Sequence, residues 1–308
     1  MRIVFMGTPE FAVPCLQKLI DCGHEVTGVF TQPDKPQGRK MVLTPPPVKQ
    51  LAVQNGIPVY QPQKMRDGTA LEMLKEANPE LVIVVAYGKI LPKEILEFPE
   101  YGCINIHASL LPALRGAAPI QWSVINGFNK TGVTSMQMDE GLDTGDMLLK
   151  GEIEIGENDT AGEMHDKLSV LGAEILEKTI DLLLKNELKP EKQDHDKFTY
   201  APMLSKELSP IDWNLTAQEV HNKIRGLCPW PSATSSLNGK KVKIHQSILC
   251  SDKKGCPGEI IGVGKHLIVS CGDGNCIEIL NLQAEGKKAM SASDYMRGNP
   301  VNIGDKFE

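Results

Sequence analysis

The sequence predicts an α/β fold with a doubly wound, mostly parallel sheet, followed by a small antiparallel β-barrel. Apolar strand-like runs alternate with helix-like segments through the first half of the chain, a rhythm typical of parallel sheets covered by helices. Residues 233–282 hold short alternating segments bounded mostly by Gly, Asn or Asp, which favours an antiparallel barrel.

Apolar runs predict strands of the first half at 3–6, 26–30, 81–86 and 103–107. The run at 81–86 has no polar residue, which indicates a central strand buried on both faces. In such sheets ligands bind beyond the carboxyl ends of the strands. We therefore expect residues 7–8, residues 86–88 and His107 to converge on one crevice.

Helical periodicity marks the segments 10–21, 48–55, 69–77, 92–96, 160–185 and 216–226. Later strands are expected at 241–246, 258–261, 267–270 and 276–282. The long helix closes the first domain, and the polar, Pro-containing stretch after it is typical of a linker. These features predict an N-terminal catalytic domain over 1–188, a linker over 189–207 and a C-terminal barrel over 208–308.

Charge and composition limit the possible partners. The chain has 308 residues, a net charge of −6 and 41% hydrophobic residues, which supports a real core and gives no global basic signal for nucleic acid. Residues 1–202 carry 20 basic and 28 acidic side chains, whereas residues 203–308 carry 13 and 11. The C-terminal third is therefore better suited to a polyanion.

The sequence also bears on compartment and metal content. No apolar run approaches the ~20 residues that span a bilayer, and the N-terminal segment is too short for a signal peptide. The eight cysteines lack the pattern of small secreted domains, so we expect a reduced, cytoplasmic chain without membrane partners, with a monomer as the default. Zinc is the alternative for Cys250, Cys256, Cys271 and Cys276, but their spacing differs from the short C-x2-C pairs of zinc ribbons. We favour free thiols and predict no metal.

Asn105, His107 and Asp143 form the most informative pattern in the chain. Asn105 and His107 lie two apart on a predicted strand, so their side chains project to the same face. Asp143 follows in the Gly-flanked turn 141–145. An amide, an imidazole and a carboxylate next to turns suit acyl-type transfer through a charged tetrahedral intermediate. The alternatives are a structural histidine and an aspartate that caps its own turn.

The Pro-rich connection 31–47 is long for a compact domain and carries Lys35, Arg39 and Lys40. Connections of this length are commonly functional or disordered. Two interpretations stay open: a solvated flexible loop, and a basic loop that clamps a phosphate backbone.

The order of these motifs resembles the folate-dependent formyltransferases, and among them those that act on methionyl-tRNA. The matching segments include Asn-x-His at 105–107, Ser-Leu-Leu-Pro at 109–112, Arg-Gly at 115–116, Leu-Asp-Thr-Gly-Asp at 142–146, Leu-Ser-Lys-Glu at 204–207 and Pro-Trp-Pro at 229–231. The resemblance covers essentially the whole chain. It implies a Rossmann-like formyltransferase domain followed by an OB-like barrel that binds tRNA.

The resemblance further implies transfer of a formyl group from the co-substrate 10-formyltetrahydrofolate to the α-amine of methionyl-initiator tRNA. Asn105 and His107 would stabilise the oxyanion of the tetrahedral intermediate. Asp143 would orient His107 and take the proton that leaves the amine. The residues implied at the folate site are Tyr87, Gly88, Ile90, Leu91, Ser109, Leu110, Leu111 and Pro112. The implied tRNA contacts are Lys35, Arg39, Lys40 and Lys206.

Three alternatives stay open for Arg115: it orients the loop at the folate site, contacts tRNA or forms a structural salt bridge. Two rival functions also stay open. The first is the same chemistry with another acceptor, namely a sugar amine, glycinamide ribonucleotide or, in a deformylase, water. The second is a nucleic-acid-binding protein whose α/β half has lost catalysis, and the intact Asn105, His107 and Asp143 argue against it.

Overall fold

The computed structural model describes residues 1–38, 41–251 and 255–308. In chain order its elements are β1 (Arg2–Gly7), α1 (Val13–Asp21), β2 (Glu25–Phe30), β3 (Lys35–Gln37), β4 (Val42–Thr44), α2 (Pro47–Gln54), β5 (Val59–Tyr60), α3 (Thr69–Ala77), β6 (Leu81–Val85), α4 (Lys93–Leu96), β7 (Cys103–His107), β8 (Arg115–Gly116), α5 (Pro119–Ile125), β9 (Lys130–Gln137), β10 (Met147–Glu154), α6 (Ala161–Leu184), β11 (Tyr200–Ala201), α7 (Ala217–Gly226), β12 (Ala233–Leu237), β13 (Lys240–Cys250), β14 (Ile260–Gly262), β15 (Leu267–Ser270), β16 (Cys276–Ala284), β17 (Met290–Ser291) and α8 (Ala292–Gly298). Short 3-10 helices lie at Glu10–Ala12 and Lys206–Leu208.

The chain divides into two compact units, and each is assembled from segments distant in sequence. The first unit comprises Met1–Gly116, Gly132–Ile153 and His165–Tyr200. The second comprises Ala117–Thr131, Glu154–Met164 and Ala201–Glu308.

Within the described residues, a seven-stranded sheet runs through the first unit in the order β10-β9-β7-β6-β1-β2-β5. The strands β5, β2, β1, β6 and β7 pair in parallel with one another, and β9 pairs antiparallel with β7. β6 is buried along its whole length, because a central strand covered on both faces tolerates only apolar side chains. The predicted α/β fold with a mostly parallel sheet is confirmed.

The carboxyl ends of β1, β2 and β6 meet through side-chain hydrogen bonds. The Thr8 hydroxyl donates to the Tyr87 carbonyl at 3.3 Å and accepts from the Gln32 backbone N–H at 3.2 Å. The Gln32 amide donates to the carbonyls of Tyr87 and Gly88 at 3.1 and 3.3 Å. Because β7 pairs in parallel with β6, His107 lies at this same edge of the sheet.

The segment 31–47 differs from the loop that its Pro-rich sequence predicts, because β3 and β4 form an antiparallel hairpin in it. Lys35 lies opposite Thr44, and Pro36 lies opposite Leu43. A proline cannot donate a hydrogen bond to a strand ladder and is confined to edge strands. A short segment that contains a proline is therefore not predicted as a strand from its sequence.

In the described part of the second unit, a six-stranded antiparallel sheet has the order β12-β13-β16-β15-β14, with β17 paired to β16. Residues near the C-terminus bridge its outer strands: Phe307 pairs with Leu237 of β12, and Lys306 pairs with Glu259 beside β14. Phe307 also packs on Trp213 with 5.5 Å between ring centroids. This curled antiparallel sheet is the C-terminal element that the sequence predicts.

Candidate active site

Asn105 and His107 lie at the carboxyl end of β7, whose bounds are those expected from the sequence. In β9, on the other side of β7, Met136 lies opposite Asn105 and Thr134 lies opposite His107. Asp143 lies in the turn between β9 and β10. The order of the strands in the sheet therefore brings together residues that are 36 or more positions apart, and all of them belong to the first unit.

Asp143 is the centre of this group. Its Oδ1 lies 3.5 Å from Asn105 Nδ2 and 3.8 Å from His107 Nδ1. Its Oδ2 accepts a 2.8 Å hydrogen bond from the backbone N–H of Gly116. The side chains of His107 and Asp143 are only 7% and 12% exposed, so solvent screens their interaction weakly.

The second imidazole nitrogen of His107 is held by the backbone. His107 Nε2 lies 3.0 Å from the carbonyl oxygen of Leu114. A carbonyl oxygen can only accept, so Nε2 carries its hydrogen and Nδ1 faces Asp143. Leu114 has a φ of 60°, which is rare for a bulky residue, and its N–H donates to Thr199 Oγ1 at 2.8 Å. This arrangement orients the imidazole toward the carboxylate.

Gln193 supports the turn that carries Asp143, and sequence reasoning missed it. Its amide nitrogen donates to the carbonyls of Asp143 and Gly145, both at 2.8 Å. Its amide oxygen accepts from Arg115 Nε and Nη2 at 3.0 and 2.7 Å. A single glutamine in a polar segment has no spacing or period that would single it out. These bonds connect Arg115 through Gln193 to the turn of Asp143, a contact that none of the three alternatives for Arg115 named.

Two of the residues implied at the folate site, Tyr87 and Leu91, have side chains that are buried in the hydrophobic core. Tyr87 is 1% exposed, and its hydroxyl donates to Met65 Sδ at 3.4 Å. Burial raises the pKa of the Tyr87 phenol. Leu91 is 4% exposed and belongs to the same apolar cluster. Between them, Gly88 and Ile90 are exposed.

The segment 109–112 is fixed by hydrogen bonds to its own backbone. The Ser109 hydroxyl donates to the Ala113 carbonyl at 2.6 Å, and the Ser109 carbonyl accepts from Thr134 Oγ1 at 2.7 Å. Leu111 is buried, whereas Leu110 and Pro112 are partly exposed. The loop is therefore rigidly attached to β9 and presents these last two side chains.

Of the four residues implied as tRNA contacts, the structure describes two, and each belongs to a different unit. Lys35 is exposed on β3, and its ammonium donates to Gln32 Oε1 at 3.1 Å. Lys206 is exposed on the 3-10 helix Lys206–Leu208 of the second unit. Arg39 and Lys40 lie outside the described residues.

Across residues 1–38, 41–251 and 255–308, no group of three or more His, Cys, Asp or Glu side chains is arranged to hold a metal ion. Cys250 and Cys276 lie opposite each other on β13 and β16, with 2.8 Å between their sulfur atoms. Cys271 is buried and Cys256 is exposed. In the same ranges, no helix is both long and apolar enough to cross a membrane.

Comparison with known proteins assigns the chain to a family. Residues 1–180 match the formyl transferase model, and residues 203–300 match the model of the formyl transferase C-terminal domain. The chain belongs to the formyl transferase family. Within it, the chain is 51% identical over 306 residues to the methionyl-tRNA formyltransferase of Alkaliphilus oremlandii, covering 99% of both chains. It is 50% identical to that of Bacillus subtilis, covering 99% of this chain and 96% of the relative.

Solved structures share the fold at much lower identity. An N-formyltransferase from Helicobacter canadensis superimposes with a TM-score of 0.72 at 21% identity, covering 92% of this chain and 98% of that one. The methionyl-tRNA formyltransferase from Clostridium thermocellum gives a TM-score of 0.57 at 18% identity over the same shares. At such identities the likeness concerns the fold alone.

Proposed function

We propose that this protein is an enzyme that transfers a formyl group from 10-formyltetrahydrofolate to the α-amine of methionyl-initiator tRNA. The product is N-formylmethionyl-tRNA for translation initiation. The observation that carries the proposal is the grouping of Asn105 and His107 around Asp143. It occurs in a chain that is about half identical, over its full length, to methionyl-tRNA formyltransferases.

In the proposed reaction the neutral amine nitrogen attacks the formyl carbon, and the formyl oxygen becomes an oxyanion. Asn105 Nδ2 and His107 Nδ1 both face Asp143 Oδ1, and the proposal assigns them as hydrogen-bond donors to the formyl oxygen, with His107 acting as an imidazolium that carries a hydrogen on each ring nitrogen. Because Nε2 of His107 is engaged by Leu114, Nδ1 is the imidazole nitrogen that meets the substrate. Loss of one oxyanion donor typically costs roughly 3–4 kcal/mol of barrier.

Asp143 is proposed to accept the proton that the attacking amine loses, directly or through a water. The new bond joins the amine nitrogen to the formyl carbon, the bond from that carbon to N10 of the folate breaks, and N10 takes up a proton. The 2.8 Å bond from Gly116 to Oδ2 leaves Oδ1 for the proton transfer, which suits a positioned general base.

The remaining predicted features belong to the same proposal. Catalysis is assigned to 1–188 and tRNA binding to 208–308, with 189–207 as a linker. The folate is placed along 87–91 and 109–112, and the tRNA is assigned to Lys35, Arg39, Lys40 and Lys206. The exposure of Lys35 and Lys206 supports this last assignment. We propose a monomer that acts in the cytoplasm, where charged tRNA is used.

The test compares formyl transfer from 10-formyltetrahydrofolate to methionyl-initiator tRNA, methionyl-elongator tRNA and free methionine. A strong preference for the charged initiator supports the proposal. Formyl transfer to free methionine at the same rate as to the charged initiator tRNA would indicate a formyltransferase that acts on small amines. Release of formate without an acceptor would indicate a deformylase, and tRNA binding without transfer would indicate a nucleic-acid-binding protein.

A further inference from the structure

Gln193 is buried within a stretch that is otherwise open to solvent. Its exposed fraction is 4%, whereas every other residue of 191–200, a range described in full, is exposed. Both hydrogens of its amide nitrogen and both lone pairs of its amide oxygen have partners. A fully satisfied buried amide restrains the groups around it, so the partners of Gln193 indicate what it holds in place.

On one side, Gln193 holds the backbone of the turn that carries Asp143. Asp143 has a φ of 54°, a left-handed conformation that persists only where the surroundings impose it. Gln193 binds the carbonyls of Asp143 and Gly145, which fixes the peptides that follow these two residues. A Cβ atom at Gly145 would overlap the carbonyl of Gln137, so the turn is also packed closely against the end of β9.

On the other side, Gln193 binds the guanidinium of Arg115. Arg115 is 5% exposed, and its backbone N–H donates to the Thr199 carbonyl at 2.9 Å. The next residue, Gly116, donates its N–H to Asp143 Oδ2. Gln193, Arg115, Gly116 and Asp143 therefore form a closed ring of contacts. In this ring, Gln193 binds the backbone carbonyl of Asp143, and Gly116 binds the carboxylate of Asp143.

We propose that Gln193 is a positioning residue for the formyl transfer, which acts by holding the Asp143 carboxylate against His107 and Asn105. It stands about 50 residues beyond Asp143 in sequence, and no contact joins it directly to His107 or Asn105 among the described hydrogen bonds. Its effect therefore passes through Asp143. This inference rests on the proposed function, because it assigns Gln193 a part in the step that Asp143 performs.

The substitution Gln193→Glu keeps the hydrogen bonds to Arg115 but removes those to the turn of Asp143, so it tests the two sets of bonds separately. A carboxylate still accepts from Arg115, and as a charged acceptor it does so more strongly. It has no hydrogen to donate to the carbonyls of Asp143 and Gly145, so it releases the turn. Gln193→Ala removes the hydrogen bonds to Arg115 as well as those to the turn. The matched control is Gln54→Glu, the same change at an exposed position near the end of α2.

The experiment measures kcat and both KM values of the full chain, with 10-formyltetrahydrofolate and methionyl-initiator tRNA as substrates. We expect Gln193→Glu to lower kcat about 10- to 100-fold, since a misplacement of about 1 Å can cost 10²-fold. Both KM values should stay within about threefold of the parent values, and Gln54→Glu should match the parent. Thermal unfolding of each variant checks that it is folded, and Gln193→Glu carries the test if Gln193→Ala does not fold.

A double-mutant cycle with Asp143→Asn identifies the route of the effect. If Gln193 acts through the carboxylate, adding Gln193→Glu to Asp143→Asn lowers the residual kcat less than twofold, because linked residues are non-additive. A full additional 10- to 100-fold loss would overturn the proposal, as would an unchanged kcat in Gln193→Glu alone. If the parent protein transfers no formyl group to methionyl-tRNA, the proposed function itself fails, which is a different result.

Discussion

Two regions of the first unit differ in the burial of their side chains and in the contacts that these make within the chain. One is the edge of the sheet around Asp143, and the other is the β3–β4 hairpin. At the edge, His107, Asp143 and Gln193 are buried or nearly so, and each has partners within the chain. In the hairpin region, Met41, Val42 and Leu43 are 68%, 58% and 63% exposed. Groups that stabilise charge must be fixed before the substrate arrives, whereas we propose that the hairpin region makes its contacts only when a substrate binds.

Removing the charge at the centre of the edge should have the largest effect. Asp143→Asn keeps an acceptor for the Gly116 N–H but removes the base and the charge that faces His107. We expect kcat for formyl transfer to fall roughly 10²–10⁴-fold, the range of general acid–base contributions, with the folate Kd little changed. Single-turnover kinetics and a folate binding titration measure the two quantities.

The control for this change is Asp67→Asn. Asp67 is exposed and accepts from the Thr69 N–H at 3.1 Å, a bond that asparagine can also accept. Its kcat should equal that of the parent. A near-normal kcat in Asp143→Asn would remove Asp143 from the reaction and leave it as a turn residue.

His107→Ala should come next in size. It removes a proposed oxyanion donor and the partner of Asp143 Oδ1, so we expect kcat to fall by about 10²–10³, or roughly 3–4 kcal/mol of barrier. Steady-state kinetics give the loss, and equilibrium binding should show that the folate is still bound. His266→Ala, at a side chain 51% exposed, is the matched control, and turnover equal to that control would refute the role of His107.

Changing the exposed apolar surface tests the other half of the comparison. Replacing Met41, Val42 and Leu43 together by serine should raise the KM for methionyl-tRNA by about tenfold and leave kcat and the folate KM unchanged. The free energy of unfolding should change by less than about 0.5 kcal/mol per substitution, as is usual for surface positions.

Val53→Ser, at a side chain 61% exposed on α2, provides the control for a loss of exposed apolar surface elsewhere in the same unit. Denaturant titration and initial rates at varied tRNA concentration separate stability from recognition. An unchanged KM for tRNA in the triple variant would mean that this surface is merely solvated.

The smallest effect concerns the base of the hairpin. The Lys49 ammonium binds the Asp34 carboxylate at 2.8 Å, and this bond, with a second from Gln61, holds the pKa of Asp34 below its usual range. A lowered folded pKa stabilises the fold above the ordinary carboxyl pKa of about 3.9, and this contribution is lost as pH falls through the folded pKa.

We therefore expect the Asp34–Lys49 contact to loosen only below about pH 4. Protection factors for amide hydrogen exchange in β3 and β4, which correct for the intrinsic pH dependence of exchange, should fall there in the parent, and in Asp34→Asn they should be low already at neutral pH. Protection factors that are equal in the two proteins and do not change with pH would show that the ion pair contributes nothing to the hairpin.

Local sequence determined most of the elements that carry the site. The bounds of α3, β7 and β15 are those expected, because helical period and apolar runs report how each segment meets the core. The pairing of Asn105 with His107 on one face follows from the strand period of two. The strands β9 and β10 were not expected, since Gly, Thr and Lys within them weaken the apolar signal.

Tertiary structure alone decided how the site is held together. The order β9-β7-β6 places the turn of Asp143 beside His107, and the return of the chain after α6 brings Gln193 between Arg115 and Asp143. Such contacts join segments about 30 to 80 residues apart. A sequence pattern records the environment of each segment, whereas the hydrogen bonds between distant segments depend on the packing of the whole unit.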